Sequence, residues 1–423
     1  MAKFYQQSLA ERHATLIAEQ RLTAAQIEQL KAAAIIAPEV ADSMIENQIG
    51  QFPLPLGLSF NFLIDETSYV VPMVTEEPSV IAASSNAAKI VQANGGFTTT
   101  IQERAMIGQL IFTDVSDYEA AILLVQEKEA ALIEIANAAQ PSLVKRGGGL
   151  RRIETRIITD DDHQPAYFTV HLVVDVQEAM GANMMNTILE ATATPLKEWL
   201  DSAVLMQILS NFADTSLVTA TCRIEPHTLT TTRFEGEWLA KRIAEATRYA
   251  HLDPYRAATH NKGIMNGVDA VVLASGNDTR AIEAGAHAFA VRDGRYRGLS
   301  DWKVAANGDL VGQLTLPLPV GSVGGAISVL PLAQLTQQIL GISTANKLAR
   351  VIVSVGLAQN LAALKALVSE GIQKGHMSLQ VKSLALSAGA TESELPLVVA
   401  ALLENKQLNL ENAHTIIAQL RQK

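Results

Sequence analysis

Between Arg256 and His287 the chain gathers Arg256, His260, Asn261, Lys262, Asn266, Asn277 and Asp278 around a short apolar run, Ala270 to Ala274. The run has too little polar alternation for a surface and is expected as a buried strand. Lys262 and Asp278 then fall on loops at either end of it. A cation and a carboxylate so placed tune each other's protonation and can polarise a carbonyl oxygen. An ordinary surface ion pair has the same spacing. A second acid, Glu77, stands in Thr75-Glu76-Glu77-Pro78-Ser79 at the start of a small-residue helix that stops at Gly95-Gly96. There it faces the positive end of the helix dipole, and helix capping accounts for it equally well. His376, bracketed by Gly371 and Gly375, lies near a hinge.

Other motifs are weaker. No G-x-G-x-x-G follows a predicted strand, and there is no P-loop, H-E-x-x-H or G-x-S-x-G. Two glycine-rich stretches, Gly147-Gly148-Gly149 and Gly321 to Gly325, and the helix start Met180-Gly181-Ala182-Asn183 would let a backbone approach a ligand closely. Lys145, Arg146, Arg151, Arg152 and Arg156 surround the triple glycine, which fits an anion site, plausibly for a phosphate, or else a solvated basic face. The turn Asp160-Asp161-Asp162-His163 lacks metal-ligand spacing and is expected as a solvated hairpin turn; no metal is expected.

These residues must be positioned by a chain of 423 residues, more than one hydrophobic core usually serves. Nearly half its residues are apolar, and its formal net charge is -10, which argues against a nucleic-acid or anionic-membrane partner. The single cysteine, Cys222, excludes a disulfide framework and suits a reducing compartment. With no signal peptide or membrane-length apolar run in view, a soluble cytoplasmic protein is expected. The first hundred residues open with Ser8-x-x-Glu11 and Thr23-x-x-Gln26, both helix-start patterns, and continue to strands near Leu58–Leu63 and Ser68–Val74. From Gly108 the order reads β-α-β-β-α-β, with Ser216–Pro226 as the closing strand, the split arrangement of a ferredoxin-like domain. The expected class is α+β. A large domain over 1–107 and 220–370 would carry a ferredoxin-like insert over 108–219 and end in a helical unit over 371–423.

Taken together, ENQIG at Glu46 to Gly50, TEEPS at Thr75 to Ser79, EAMGANM at Glu178 to Met184, RAATHNKGIMNG at Arg256 to Gly267, GND at Gly276 to Asp278, PVGSVGGA and GIQKGHM resemble the 3-hydroxy-3-methylglutaryl-coenzyme A reductase family, in its soluble bacterial class II form. The resemblance spans essentially the whole chain. It implies a substrate domain, an inserted cofactor domain and a mobile C-terminal flap, in a homodimer or larger homo-oligomer with active sites at the subunit interface. It also implies four-electron reduction of HMG-CoA to mevalonate and coenzyme A, with catalytic residues Glu77, Lys262, Asp278 and His376. In that scheme Asp278 is hydrogen-bonded between Lys262 and Glu77, and His376 protonates the departing thiolate.

The same resemblance places Ser79, Arg256, Asn266, Gln359 and Asn360 on the substrate. It places Gln140, Lys145, Arg146, Met180, Gly181, Asn183 and Asn211 on the cofactor side. Two positions depart from the family pattern. Glu178 replaces an aspartate, and Gln140, followed by Lys145 and Arg146, stands where NAD-using members carry an aspartate, which favours NADPH while leaving NADH tolerance open. The alternatives are an NAD-linked, mevalonate-degrading member of the family and, in a different class, an aldolase using Lys262 as a Schiff-base nucleophile.

Overall fold

The computed structural model describes residues 4–32, 36–371, 381–405 and 408–422. Three short helices come first, α1 (Leu9–Ala18), α2 (Ala24–Ala32) and α3 (Pro38–Met44). Ser8 and Glu11 form the expected reciprocal cap on α1, and Thr23 and Gln26 make the same exchange ahead of α2. A hairpin of β1 (Leu56–Ile64) and β2 (Thr67–Val74) precedes α4 (Val80–Gln92) and β3 (Thr98–Ile101).

The expected β-α-β-β-α-β order follows: β4 (Met106–Thr113), helices α5 (Tyr118–Glu127), α6 (Glu129–Ala139) and α7 (Pro141–Lys145), then β5 (Gly149–Thr159), β6 (Pro165–Asp175), α8 (Ala182–Leu200) and β7 (Ala203–Ser210). These strands form one antiparallel sheet in the order β5-β6-β4-β7. Its core is separate, with Leu110, Phe112, Phe168 and Val170 meeting Val125, Leu132 and Ile188 from the helices. One strand differs from the sequence reading. The closing strand is β7, whereas the segment read as closing is β8 (Leu217–Ile224), which belongs to the other sheet, β3-β8-β10-β9. Strand pairing decides this: β8 takes its partners from β3 and from β10 (Leu310–Pro317), far away in sequence.

The remainder runs α9 (Pro226–Leu229), α10 (Gly236–Leu252), α11 (Pro254–Ala274), α12 (Thr279–Phe289), β9 (Ser300–Val304), β10, α13 (Pro331–Leu340) and α14 (Ala345–Val368), with α15 (Leu395–Asn405) and α16 (Leu410–Arg421) closing the chain on a small core of their own. The α+β class is as expected. The apolar run Ala270–Ala274 is not a strand; it is the last turn of α11. Ala270, Val271, Val272 and Ala274 are buried along with Ile264, Met265 and Val268, and the exposed position is itself apolar, Leu273, so the run shows no polar alternation and resembles a buried strand. Cys222 lies buried in β8, as a small apolar residue would, and burial pushes its thiol up to about 12.

Helix α14 is long and apolar enough to cross a membrane, but 67% of its most apolar stretch is buried in the protein, where it packs on α11 and the second sheet. Two glycines allow the approach. A Cβ on Gly267 of α11 would lie 2.9 Å from Cβ of Gln359, and one on Gly356 of α14 would lie 2.9 Å from Val268. The outer flank of α11 is fixed by hydrogen bonds. The Asn261 amide donates to the Arg297 carbonyl at 2.8 Å and accepts from the Leu299 amide at 2.8 Å. The His260 ring meets the Ser300 hydroxyl at 2.6 Å and the Asn360 amide at 3.2 Å, while Ser300 and Trp302 both donate to the Asn360 carbonyl oxygen at 2.8 Å. Burial lowers His260 to about 3, with Arg256 and His251 adding to the effect, so the ring is neutral near pH 7.

Two measurements test this packing. Gly267→Ala gains up to ~1 kcal/mol of helix propensity, yet the clash with Gln359 is expected to lower stability by about 1–3 kcal/mol, read as a lower urea midpoint; an unchanged or higher midpoint would refute the close approach. Because the folded-state value of His260 is depressed, its contribution is complete above its ordinary value of 6.5 and is lost as pH falls towards about 3. His260→Gln is therefore expected to flatten the fall in stability across that window, and parallel pH profiles for the two proteins would count against a neutral buried ring.

Candidate active site

Lys262 does not sit on a loop: it projects from the exposed side of α11, one residue beyond the Asn261 clamp. Its Nζ donates to Oε2 of Glu77 at 2.7 Å, across 185 residues of sequence, and one turn on, Asn266 donates to Oε1 of the same carboxylate at 3.3 Å. Glu77 is therefore not a helix cap. It lies in the connection from β2 to α4, where its own amide donates to the Thr75 hydroxyl at 3.2 Å. The lysine and glutamate side chains are 63% and 37% exposed, and an ion pair this open contributes at most about 1 kcal/mol to stability. Folding has little need of it.

Three other residues expected at the site, Ser79, Arg256 and Gln359, carry polar groups without partners among the described residues. Ser79 is the residue before α4, held in the left-handed region at φ 76°, and its side chain does not cap the helix. Its hydroxyl oxygen is buried with no hydrogen-bond partner among the described residues. A non-glycine residue in that conformation costs about 1–3 kcal/mol, and such strain concentrates at ligand sites. Arg256, in the first turn of α11, has a half-buried guanidinium with no ion pair among the described residues, and burial draws it below the usual arginine range. Gln359 lies opposite Gly267 with its Oε1 buried and unpaired. Ser79, Arg256 and Gln359 thus present polar groups that a carboxylate or hydroxyl ligand could satisfy, while the Asn266 amide is already engaged by Glu77.

Asn360 and Asp278 differ from expectation. Both ends of the Asn360 amide are used by His260, Ser300 and Trp302, so the side chain braces the core and does not line a pocket. Asp278 caps α12, accepting from the amides of Arg280 and Ala281 at 2.9 and 3.2 Å and from Arg280 Nε at 3.4 Å. No hydrogen bond joins it to Lys262 or Glu77 within the chain. His376 lies outside the described residues.

On the cofactor side, Gln140 separates α6 from α7, and Lys145 and Arg146 stand exposed at the end of α7. The basic cluster is smaller than the sequence suggests, because Arg151 pairs with Asp175 at 2.8 Å and Arg152 with Glu103 and Glu154 at 2.6 and 2.7 Å. Packing explains two of the three glycines, since a Cβ on Gly148 would meet the Asp175 carbonyl and Leu143 and one on Gly149 would meet the Asn137 side chain, while Gly147 faces open space at φ 91°. Gly181, at φ 100°, precedes α8 and gives it no side-chain cap, leaving Asn183 exposed in the first turn; Asn211 is exposed just after β7, and Met180 is half-buried.

Glu178, whose contact the sequence left unassigned, joins the two sheets. Its carboxylate accepts from the Ser322 hydroxyl at 2.9 Å and from the Ala345 amide at the start of α14. Beside it, Asn277 exchanges two hydrogen bonds with the Gly321 backbone at 2.7 and 3.0 Å, and a Cβ on Gly321 would lie 2.7 Å from the Met180 nitrogen. The EAMGAN, GND and glycine-rich segments therefore converge within one junction.

The comparisons with known proteins point the same way as this geometry. Residues 8–381 match the family model for hydroxymethylglutaryl-coenzyme A reductase. A 3-hydroxy-3-methylglutaryl-coenzyme A reductase of Archaeoglobus fulgidus is 45% identical over 90% of this chain and 86% of its own length, and a probable one of Borreliella burgdorferi is 37% identical over 81% and 77%. Among solved structures, a 3-hydroxy-3-methylglutaryl-coenzyme A reductase from Streptococcus pneumoniae superposes with a TM-score of 0.85 at 49% identity, covering 99% of both chains. A class II enzyme of that species bound to NADPH in open conformations gives a TM-score of 0.84 at 48% identity, over 86% of this chain and 99% of its own. A lysine–glutamate pair that folding does not require, on a fold shared at this level, leaves one assignment: the chain belongs to the hydroxymethylglutaryl-coenzyme A reductase family, in its class II form, and is an oxidoreductase acting on CH–OH groups.

Proposed function

We propose that the chain reduces HMG-CoA to mevalonate and free coenzyme A at the expense of two NADPH, in the biosynthetic direction and in the cytoplasm. The observation that carries this reading is the 2.7 Å contact of Lys262 with Glu77. A cation beside a potential proton donor, at an open site, matches a reaction that twice places negative charge on a carbonyl oxygen. The Lys262 ammonium stabilises that charge as it develops, the kind of interaction that lowers a barrier because it strengthens in the transition state. Glu77 delivers the proton the oxygen finally takes. Arg256 binds the free carboxylate of the substrate, and Ser79, Asn266 and Gln359 receive its neighbouring oxygens. Asn360 supports this shell from behind.

The cofactor fit is supported by the chain itself. Exposed Lys145 and Arg146 have no carboxylate partner among the described residues, and Gln140 adds no negative charge to repel a 2'-phosphate. The uncapped start of α8 after Met180 and Gly181, with Asn183, offers amides and a positive dipole end, and Asn211 lies on the same insert. When bound, NADPH supplies the two hydrides that carry the thioester through a hemithioacetal and mevaldehyde to mevalonate. His376 protonates the departing coenzyme A sulfur, a task suited to imidazole near neutral pH.

Asp278 enters the scheme through assembly. Because it caps α12 within its own chain, a homodimer that closes the open pair is the arrangement in which it reaches Lys262, and sedimentation showing a catalytically active monomer would exclude this. The 1–107 and 220–370 segments then serve substrate, 108–219 serves cofactor, and 371–423 moves His376 into place.

Spectrophotometric NADPH oxidation tests the reading directly: two equivalents consumed per coenzyme A released are expected, with NADPH favoured over NADH in kcat/KM and no turnover by Lys262→Ala. Absence of HMG-CoA-dependent oxidation would sink it, and a clear preference for NADH would remove the biosynthetic assignment. His376→Gln is expected to slow reduction of the thioester far more than that of free mevaldehyde; equal losses would show that the imidazole does not serve the thiolate.

A further inference from the structure

On the flank of α11 away from Glu77 lies a cleft of about 780 Å³ formed by α10, the turn after α12 and β9. Such a volume is in the range that takes a small molecule. In a chain of net charge -10 this cleft is cationic, with Lys241, Arg248, Arg292, Arg297 and Lys303 set against only Glu245, Asp293 and Asp301. Arg248 is held by Glu245 at 3.3 Å and Lys303 by Asp301. Lys241, Arg292 and Arg297 have no carboxylate partner among the described residues; Arg292 lies 4.2 Å over the Phe289 ring and donates to its carbonyl, while the Nε of Arg297 is buried without any hydrogen-bond partner. His251 is half-buried at the same wall, 3.8 Å from Asp301. Burial draws its imidazole below the ordinary range, with Asp301 opposing and Arg297, Lys303 and Arg292 reinforcing the shift.

We propose that this cleft binds a small phosphorylated metabolite bearing at least two adjacent phosphate charges, and that its occupancy is felt at Lys262. Three cations without a carboxylate partner lining one cleft, Lys241 on α10 with Arg292 and Arg297 in the turn after α12, suit a diphosphate better than a single carboxylate, and the planar guanidiniums can each take two oxygens. The route to the active site is short. The Arg297 carbonyl and Leu299 amide are the two groups that clamp Asn261, and Ser300 holds His260, so residues 297–300 fix the turn of α11 that ends at Lys262. A Cβ on Gly298, in the cleft wall, would lie 3.3 Å from the His260 ring. A ligand that draws on Arg297 therefore pulls on the support of the lysine.

Inorganic pyrophosphate is the probe, titrated calorimetrically into the full-length protein. Lys241→Ala/Arg292→Ala, two exposed positions, is expected to weaken binding at least tenfold, while Lys89→Ala, an exposed cation on α4, leaves it unchanged. Hydrogen exchange reads the site without any variant: pyrophosphate is expected to protect residues 236–252 and 292–304. No binding at millimolar pyrophosphate, protection confined to 140–152, equal binding of citrate, or an unaffected cleft variant would each overturn the assignment. The coupling rests on the reductase reading, and the binding does not. Pyrophosphate should alter the KM for HMG-CoA at least twofold in the natural protein and not in the cleft variant. The same change in both would place the effect at the substrate's own site and refute the coupling, whereas failure of the reductase reading would appear as no HMG-CoA turnover with pyrophosphate binding intact.

Discussion

Helices α11 and α14 approach at a separation that leaves no room for a β-carbon at Gly267 or Gly356. Glycine in a helix interior is unfavourable by about 1 kcal/mol relative to alanine, so its presence twice at one crossing marks a geometric requirement. The crossing sets which way each face of α11 points. Its inner face carries Ile264, Val268 and Val271 into the largest core, and its outer face carries Lys262 and Asn266 to the surface beside Glu77. Gln359 lies directly across from Gly267, with its Oε1 buried and unpaired among the described residues.

Rigidity and openness are combined on a single helix. The turn holding His260 and Asn261 is tied to residues 297–302 and to Asn360 by hydrogen bonds of 2.6 to 3.2 Å, the most heavily supported part of α11. One residue later, Lys262 is exposed. Placing Lys262 on a braced helix and not on a loop fixes where its backbone sits, and the charge stabilisation proposed for it depends on such positioning. The β5-β6-β4-β7 sheet connects to this assembly through Glu178, whose carboxylate accepts from Ser322 and from the Ala345 amide beside the Asn277–Gly321 pair.

Much of this was legible in the sequence because the signals are local. Ser8 with Glu11, Thr23 with Gln26, and the β-α-β-β-α-β rhythm all depend on neighbours within one turn or one strand, and they read correctly. The meeting of Lys262 with Glu77 was expected only through motif resemblance, since a contact across 185 residues has no local signature. The failures are of that second, non-local kind. β8 and β7 look equally strand-like, and only pairing with β3 and β10 separates them. Ala270–Ala274 lost its helical pattern because its exposed position, Leu273, is as apolar as the buried ones. Asn360 reads as a pocket residue until Trp302 and Ser300, about sixty positions away, are seen to use up its amide. Glu178 could not be assigned at all, because its partners Ser322 and Ala345 lie beyond any sequence window.

Ser79 combines a left-handed backbone with a buried hydroxyl that has no partner among the described residues, two unfavourable features at one residue. Glycine there would relieve the first and abolish the second. Selection for heat resistance alone would therefore drift towards glycine at this position, while selection for the substrate contact proposed above would keep serine. Under that proposal, a thermostabilised descendant that retains Ser79 carries the contact at a cost in stability, and one with glycine there has exchanged the contact for robustness.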